Sequence, residues 1–234
     1  TYSGNGGLHL VYLGAGWEPF KGFSFGANIA YLWGTLNRNS TNSYSDSYVN
    51  TLSKNYTAQV KSYKADFGVQ YTYPIDRKNE LTLGLAYSLG HTLNAEPECD
   101  LISTNSQTSV SDTTRYVVSK AFELPHTFGV GLMFNHNNRL KFGVDYQLQK
   151  WAKLRYPQLN TVNGTTSYSL VDGQFNDCHK LTLGGDYCKG ERYRGFFSRM
   201  HYRAGFSYAS PYLKINGQDG PRELSASLGV GIPI

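Results

Sequence analysis

Residues Phe23–Trp33 read FSFGANIAYLW, and every odd-numbered position in this stretch is apolar. The even-numbered positions are small or polar, with Leu32 as the one exception. Because successive side chains of a β-strand point to opposite faces, this period of two predicts a strand with one apolar face and one face of small and polar side chains. A turn at Glu18–Gly22 joins it to an earlier strand over Leu8–Trp17, in which the alternation is poor.

The same alternation recurs along the chain, most clearly at Leu81–Leu89 (LTLGLAYSL), where every odd-numbered position is again apolar. We predict nine strands, over residues 8–17, 23–34, 59–73, 81–93, 128–135, 140–149, 180–187, 202–208 and 224–232. Long polar loops are predicted at Arg38–Asn55, Asn94–Pro125 and Pro157–Asp177, with shorter turns between them. Short and long connections therefore alternate, as in an up-and-down meander with tight turns at one rim and long loops at the other.

Composition narrows the class of protein. The 234 residues suit one large β domain over residues 1–234, and no apolar run approaches the roughly 20 residues that a membrane-spanning helix needs. The mean hydropathy of −0.44 is compatible with a transmembrane barrel, because only alternate residues of its strands face lipid. The chain has 19 Tyr, and aromatic rings concentrate at membrane–water boundaries. A formal net charge of +5, scattered without a basic run, gives no support for a nucleic-acid partner.

Charged residues lie in mid-strand on the face opposite the apolar one. They are Lys64, Asp66, Lys141, Asp145, Lys180, Asp186 and Arg203. In a soluble barrel or sandwich the apolar face would turn inward and these charges would be solvated. The many glycines beside them suit a crowded inner wall instead, and the aromatic residues near the strand ends suit two interfacial girdles. We therefore predict an all-β fold, an up-and-down antiparallel transmembrane β-barrel, in preference to a soluble barrel or sandwich.

The inner charges have two interpretations. In the first, they satisfy one another and water and hold the lumen closed to free diffusion. The members of this polar network are Lys64, Asp66, Asp145 and Asp186. In the second, a cation receives the carboxylate of a fatty-acid-like ligand while apolar side chains hold its tail. The ligand-binding candidates are Lys141, Lys180 and Arg203.

Motifs for chemistry are absent from the sequence. It contains no nucleophile elbow, Walker loop or dinucleotide fingerprint, and its six histidines show no metal-ligand spacing on one strand. The sequence therefore predicts no catalytic residues, no metal site and no cofactor, and the chain is not expected to be an enzyme.

Three stretches carry a family resemblance: Leu13–Asn28 (LGAGWEPFKGFSFGAN), Tyr202–Tyr208 (YRAGFSY) and Leu228–Ile234 (LGVGIPI). They resemble the FadL/TodX group of outer-membrane transporters for hydrophobic compounds. The resemblance implies a barrel of about 14 strands, an N-terminal plug and a lateral opening at a kink in an early strand. About nine strands of such a barrel are then present, with the plug and some terminal strands outside the given sequence. Gly14 and Gly16 are the candidates for the lateral opening.

The resemblance also implies a place and a function. The place is the cell outer membrane of a Gram-negative bacterium, with outer-membrane lipid or lipopolysaccharide around the barrel. The function is to move hydrophobic small molecules, such as long-chain fatty acids, across that membrane through a lumen with a lateral opening. The alternative is a FadL-like accessory or plugging barrel subunit of a larger outer-membrane protein assembly, such as a secretion translocon. A lateral gap would favour transport, and a sealed wall with a large protein contact would favour the subunit.

The cysteines allow one disulfide. Cys178 and Cys188 lie ten positions apart on one predicted strand, roughly 33 Å, and cannot bond to each other. Cys99 and Cys178 both lie on the long-loop side, in a cell-surface setting that permits disulfides. A Cys99–Cys178 bridge would tie two loops over the barrel mouth. The competing interpretation is three free thiols.

Overall fold

The computed structural model describes residues 1–46, 48–162, 165–190, 195–215 and 217–232. Within these ranges the chain is nearly all β-structure, with one single-turn helix, α1 (Phe196–Arg199). The strands in chain order are β1 (Tyr2–Phe20), β2 (Phe23–Asn42), β3 (Thr51–Pro74), β4 (Asn79–Ser88), β5 (His91–Thr92), β6 (Asn94–Ala95), β7 (Glu98–Thr104), β8 (Ser111–Val117), β9 (Glu123–Leu124), β10 (Thr127–His136), β11 (Leu140–Gln149), β12 (Tyr156–Val162), β13 (Thr165–Val171), β14 (Cys178–Tyr187), β15 (His201–Ala209), β16 (Lys214–Ile215), β17 (Gln218–Asp219) and β18 (Glu223–Gly231). No helix in the described part of the chain is long and apolar enough to cross a membrane. Pro233 and Ile234, which end the third stretch of the family resemblance, lie outside the described residues.

Nine strands form the wall of the structure. They pair antiparallel in the order β1-β2-β3-β4-β10-β11-β14-β15-β18, so each wall strand pairs with the next wall strand along the chain. The shorter strands lie within the long connections at one rim, where β6, β7 and β8 extend the sheet beside β3. This arrangement confirms the predicted fold class and the count of nine main strands.

The tight turns lie at the opposite rim and follow from local sequence. Between β10 and β11, Asn137 and Asn138 both adopt positive φ angles, 53° and 55°. The amide of Arg139 donates to the carbonyl of His136 at 2.9 Å and closes the turn. Two consecutive left-handed residues give the type I′ geometry that matches the twist of antiparallel strands, and asparagine tolerates that conformation well.

The apolar face of the wall points outward. Leu83 and Leu85 are 43% and 52% exposed, so they are not packed in a closed core. Across the wall, Val69, Leu85 and Val130 lie in register and form one apolar row. The opposite face, with its glycines and charges, lines a recess of its own. The exposure of Leu83 and Leu85 agrees with the predicted orientation of the strands, and contact of this face with lipid stays a prediction.

The long-loop rim differs from the prediction. Two hairpin strands continue well past the predicted ends, because β2 extends to Asn42 and β3 begins at Thr51, within the predicted loop Arg38–Asn55. The backbone ladder there is regular, and the hydroxyls of Thr41 and Ser53 hydrogen bond at 3.1 Å. The segments predicted as loops 94–125 and 157–177 likewise contain β6 to β9 and most of the β12–β13 hairpin. Strands with polar surroundings on both faces need no apolar face, so their sequences lack the alternation of apolar and polar residues that predicts a strand.

Leu32, the exception to the alternation of β2, belongs to a small core inside this rim. It is 8% exposed and packs with Val60, Leu93 and Ala95. Phe122 and Leu124 cover this cluster from the segment that leads back into β10. Leu32 is apolar on the inner face because a loop segment folds against that face and buries it.

Candidate ligand-binding lumen

A recess of about 520 Å³ lies on the inner face of the wall in its tight-turn half. Its charged lining comprises Lys141, Asp145, Asp186 and Arg203 from the adjacent strands β11, β14 and β15. Glycines of β10, β11 and β14 also line it, and their missing side chains provide the depth. A Cβ atom on Gly131, for example, would collide with Oδ1 of Asp145, so a carboxylate occupies the space that a larger residue would need.

Asp186 is the centre of the charged group. Its Oδ1 lies 2.8 Å from Nδ1 of His201, and its Oδ2 accepts a hydrogen bond of 2.9 Å from Nε of Arg203. Lys141 is directly opposite Asp186 in the register of β11 and β14. No salt bridge involves Lys141 within the described ranges, so its ammonium group is available to an anion. The site can therefore hold a carboxylate against Lys141 and the outer side of the Arg203 guanidinium.

The three predicted cations do not form one site. Lys141 and Arg203 flank Asp186, but Lys180 lies six residues from Asp186 on β14, which is roughly 20 Å along a strand. Lys180 is instead in register with Gln147, towards the long-loop rim.

The predicted polar network is also divided. Nζ of Lys64 lies 2.6 Å from both carboxylate oxygens of Asp66, two residues away on the same face of β3. This pair satisfies itself, whereas Asp145 sits over Gly131 on β10 and β11. The structure thus contains a self-contained pair on β3 and an open charged recess on β11, β14 and β15.

Gly14 and Gly16 do not separate β1 from β2. The pairing of β1 with β2 is continuous through both residues, which lie opposite Asn28 and Gly26. The only shift in this ladder falls between Trp17 and Phe20, next to the tight turn. The prediction of disrupted pairing at Gly14 and Gly16 fails on the side of β2, because glycine weakens side-chain alternation without breaking backbone hydrogen bonds. The other edge of β1 pairs with no strand in the described residues, so an opening on that side stays a prediction.

The predicted Cys99–Cys178 disulfide is also wrong, since both residues are buried free thiols, as is Cys188. Cys99 lies in β7, in register with Tyr56 of β3. The Cys178 thiol at the start of β14 donates to the carbonyl of Ser210 at 3.3 Å. The strands that carry Cys99 and Cys178, β7 and β14, do not pair with each other, and the ladder holds each cysteine beside its own neighbour.

A hairpin from the neighbouring loop reaches across the rim towards β3. The ring of Tyr168 in β13 lies 6.3 Å from that of Tyr56, and the ring of Tyr156 in β12 lies 6.2 Å from that of Phe122. Burial raises the pKa of the Tyr168 hydroxyl well above its ordinary value, and the nearby Cys99 adds to the shift. The β12–β13 hairpin is therefore packed against the rim of β3 and β7.

The base of this hairpin is fixed by an ion pair. Nζ of Lys150 donates to Oδ2 of Asp177 at 2.8 Å, and the amide of Ala152 donates to Oδ1 at 3.0 Å. Burial raises the pKa of the Asp177 carboxyl, but the hydrogen bonds from Lys150 and Ala152 outweigh it, so the pKa lies below its ordinary value. Sequence reasoning missed these rim contacts because the loops lack periodicity; the tyrosines within them were the only signal.

Comparison with solved structures identifies the fold. The toluene transporter TodX of Pseudomonas putida matches with a TM-score of 0.64 and 15% identity, over 94% of this chain and 59% of that chain. The toluene transporter TbuX of Ralstonia pickettii matches with a TM-score of 0.57 and 16% identity, over 86% of this chain and 56% of that chain. The CymD monoaromatic hydrocarbon channel matches with a TM-score of 0.61 and 17% identity, over 98% of this chain and 67% of that chain.

The chain thus spans between about half and two thirds of the length of these proteins and shares their barrel fold, which confirms the fold that the sequence resemblance implied. A search of curated protein sequences finds no match. A family model described as BamG matches residues 1–234, and the chain belongs to the BamG family.

Proposed function

We propose that the chain forms an outer-membrane β-barrel of a Gram-negative bacterium that carries hydrophobic small molecules with an anionic head, such as long-chain fatty acids. The observation that carries the proposal is the contrast between the two faces of the wall. The outer face exposes apolar side chains such as Leu83 and Leu85, while the inner face holds the recess around Lys141, Asp186 and Arg203. An apolar outer band with a polar lumen is the arrangement that a lipid bilayer stabilises.

The recess suits an amphipathic ligand. Lys141 and Arg203 supply cationic donors for a carboxylate, and Asp186 fixes the Arg203 side chain in place. Met133 and the glycine backbone of the same recess offer an apolar surface to a hydrocarbon tail. The hydrocarbon channels that share this fold support a hydrophobic cargo. The continuous β1–β2 ladder at Gly14 and Gly16 supports a route out of the lumen that does not pass between these two strands.

Uptake of a labelled long-chain fatty acid into cells that express the full-length protein tests the proposal. The Lys141→Ala/Arg203→Ala double variant is expected to reduce uptake about tenfold, as the loss of one or two charge-assisted hydrogen bonds implies. Lys180→Ala removes a lumen cation roughly 20 Å away along β14 and is the matched control, expected to leave uptake unchanged. Equal uptake by the wild type and the double variant would contradict the proposed site.

A second candidate is an accessory barrel subunit of a larger outer-membrane assembly. Two observations favour it: the backbone ladder from β1 to β18 has no gap within the described wall strands, and the β12–β13 hairpin packs against the rim of β3 and β7. Cross-linking of intact cells followed by purification distinguishes the two candidates. A stoichiometric outer-membrane protein partner together with no fatty-acid uptake would favour the subunit, and uptake by the purified barrel in vesicles would favour transport.

A further inference from the structure

Three histidines lie beside aromatic rings on the outer face of the wall. The pairs are His9 with Trp33, His126 with Tyr87 and His179 with Tyr146. Ring centroids in these pairs are 5.7 to 6.2 Å apart. We refer to His9, His126 and His179 as the histidine belt. The histidines show no metal-ligand spacing in the sequence, and the inner recess uses none of these three.

The belt lies at one height on the wall. His179 of β14 is level with Ala15 of β1 through an unbroken series of paired residues. Ala15 is six residues from His9, and six strand steps separate β1 from β14. At about 3.4 Å per residue and about 4.8 Å per strand, the line from His9 to His179 is inclined by roughly 35° to the perpendicular of the strands. Barrel strands tilt by about 35–45° from the axis, so this line runs around the wall at constant height.

The tight turns shift in the same direction, which supports the assignment of height. Pairing of β2 with β3 ends at Phe23, level with Tyr71. Pairing of β10 with β11 ends at His136, which pairs with Asn79 of β4. Asn79 lies one residue beyond the Pro74–Glu80 pair, so this turn is level with position 75 at the end of β3. The turn has therefore moved by about four residues after four strand steps, in keeping with the tilt of a barrel.

The belt marks one boundary of the membrane-crossing band. Both β10 and β14 have 10 residues, within the roughly 9–11 tilted residues that cross a hydrocarbon layer. His126 directly precedes β10 and His179 is the second residue of β14, so both lie at the long-loop end. Side chains at this height on the outer face meet lipid headgroups when the barrel is in a bilayer.

Two belt histidines are held in place through Nδ1 by tyrosine hydroxyls. Nδ1 of His126 lies 2.8 Å from the Tyr87 hydroxyl and accepts from the Gly90 amide at 3.2 Å, which leaves the proton on Nε2. Nδ1 of His179 lies 2.7 Å from the Tyr146 hydroxyl. Among the described residues no hydrogen bond involves Nε2 of either ring. Each ring is therefore oriented by a tyrosine and has its second nitrogen available.

A cationic side chain, Lys150, lies between these two rings and can bind an anion. The Lys150 amide donates to the carbonyl of His126, and its ammonium group pairs with Asp177, beside His179. The carboxylate of Asp177 accepts from both Lys150 and the Ala152 amide, so its negative charge is satisfied within the protein. Lys150 is about half exposed and keeps further donors for a second acceptor.

From this geometry we infer that the histidine belt binds the phosphate groups of lipids in the surrounding leaflet. Nε2 of His126, Nε2 of His179 and the Lys150 ammonium group donate to phosphate oxygens, and the tyrosines hold the two rings in place. This inference rests on the membrane location in the proposed function, but not on transport. It assigns to the outer face a contact that is specific for phosphate, beyond the general affinity of aromatic rings for a membrane interface.

Native mass spectrometry of the full-length protein in detergent tests the inference with bisphosphorylated lipid A and its dephosphorylated form as probes. The His126→Phe/His179→Phe variant keeps the aromatic rings and removes the donors. We expect it to retain bisphosphorylated lipid A about tenfold more weakly than the wild type, and to bind the dephosphorylated form equally well. The matched control is His136→Phe, at the tight-turn rim, which should behave as the wild type.

Equal retention of bisphosphorylated lipid A by the wild type and the double variant would overturn the inference. So would equal binding of the two lipid A forms to the wild type, because that result would leave only aromatic anchoring. Fatty-acid uptake by the double variant should stay at the wild-type level. If the wild type takes up no fatty acid but still prefers bisphosphorylated lipid A, the transport proposal is contradicted and the inference about phosphate binding stands.

Discussion

The two halves of β3 show how the same backbone ladder serves two kinds of surroundings. Over Tyr63–Pro74 the side chains alternate between the exposed apolar outer face and the polar inner face. Over Thr51–Lys61 the ladder to β2 continues without a break, but the short strands β6 and β7 pair with the other edge of β3 and Val60 is buried on the inner face. The tight-turn half therefore has lipid-facing and lumen-facing sides, whereas the rim half is built like a small water-soluble protein.

This difference explains where sequence patterns are informative. A period of two arises only when the two faces of a strand meet different media. In the wall they do, and the pattern is strong; at the rim they do not, and the ladder forms from polar residues such as Asn39 and Asn55. A charge introduced on the outer face should therefore be harmful in the wall and tolerated at the rim.

The largest effect is expected for a charge on the outer face of the wall. Leu85→Arg places a guanidinium in the middle of the apolar band, where such a change costs about 2–4 kcal/mol. We expect the variant to lose the heat-modifiable folded form and to be depleted from the outer-membrane fraction, as measured by gel mobility of unheated samples. Asn39→Arg, in the rim half of β2, is the control and should fold normally. Normal insertion of Leu85→Arg would mean that this face does not contact lipid.

A smaller effect is expected for the core of the rim. Leu32→Ala removes a buried side chain from the cluster with Val60 and Leu93, and a change of this type costs about 2–5 kcal/mol in a full core. Because the cluster is small, we expect the low end of that range, with the wall intact. Limited proteolysis should cut residues 89–125 faster, while the unheated gel mobility stays normal. Leu36→Ala, at a 40% exposed position, is the control, and equal proteolysis of the two variants would contradict a core at Leu32.

The smallest effect is expected for the Lys150–Asp177 pair. The pKa of Asp177 lies below its ordinary value, so its stabilisation is complete above an ordinary aspartate pKa of about 4 and is lost as the pH falls through the lower folded value. Pepsin should therefore cut the connection between β11 and β14 faster at the acid end of its range, after normalisation to an unstructured peptide. Asp177→Asn should be cut at the faster rate throughout, and a wild-type rate without pH dependence would contradict a role for the pair.

Much of the wall could be predicted from the sequence, because lipid and lumen impose opposite demands on successive residues. The orientation of Leu83 and Leu85 and the inner position of Lys141 and Asp186 follow from that rule. The separation of Lys180 from the other cations did not follow, since it depends on position along the strand rather than on its face.

Three further features could not be predicted, because they depend on tertiary contacts or on the backbone rather than on local side-chain patterns. The role of Leu32 depends on a loop segment that folds back against the wall, and no local pattern encodes that contact. The regular ladder at Gly14 depends on backbone groups that glycine shares with every residue except proline. The partners of Cys99 and Cys178 depend on which strands are neighbours, and the short strand β7 was hidden within a polar stretch.

Because glycines line the inner face, a single added methyl group would change the width of the recess. Gly184 faces open space, so an added methyl there would meet no neighbour and would only narrow the recess. At Gly131 the same methyl would displace the Asp145 carboxylate and rearrange the charges as well. One position therefore changes the size of the recess alone, and the other changes its size and its charge together. A recess built in this way can be reshaped by one substitution while every backbone hydrogen bond of the wall is retained.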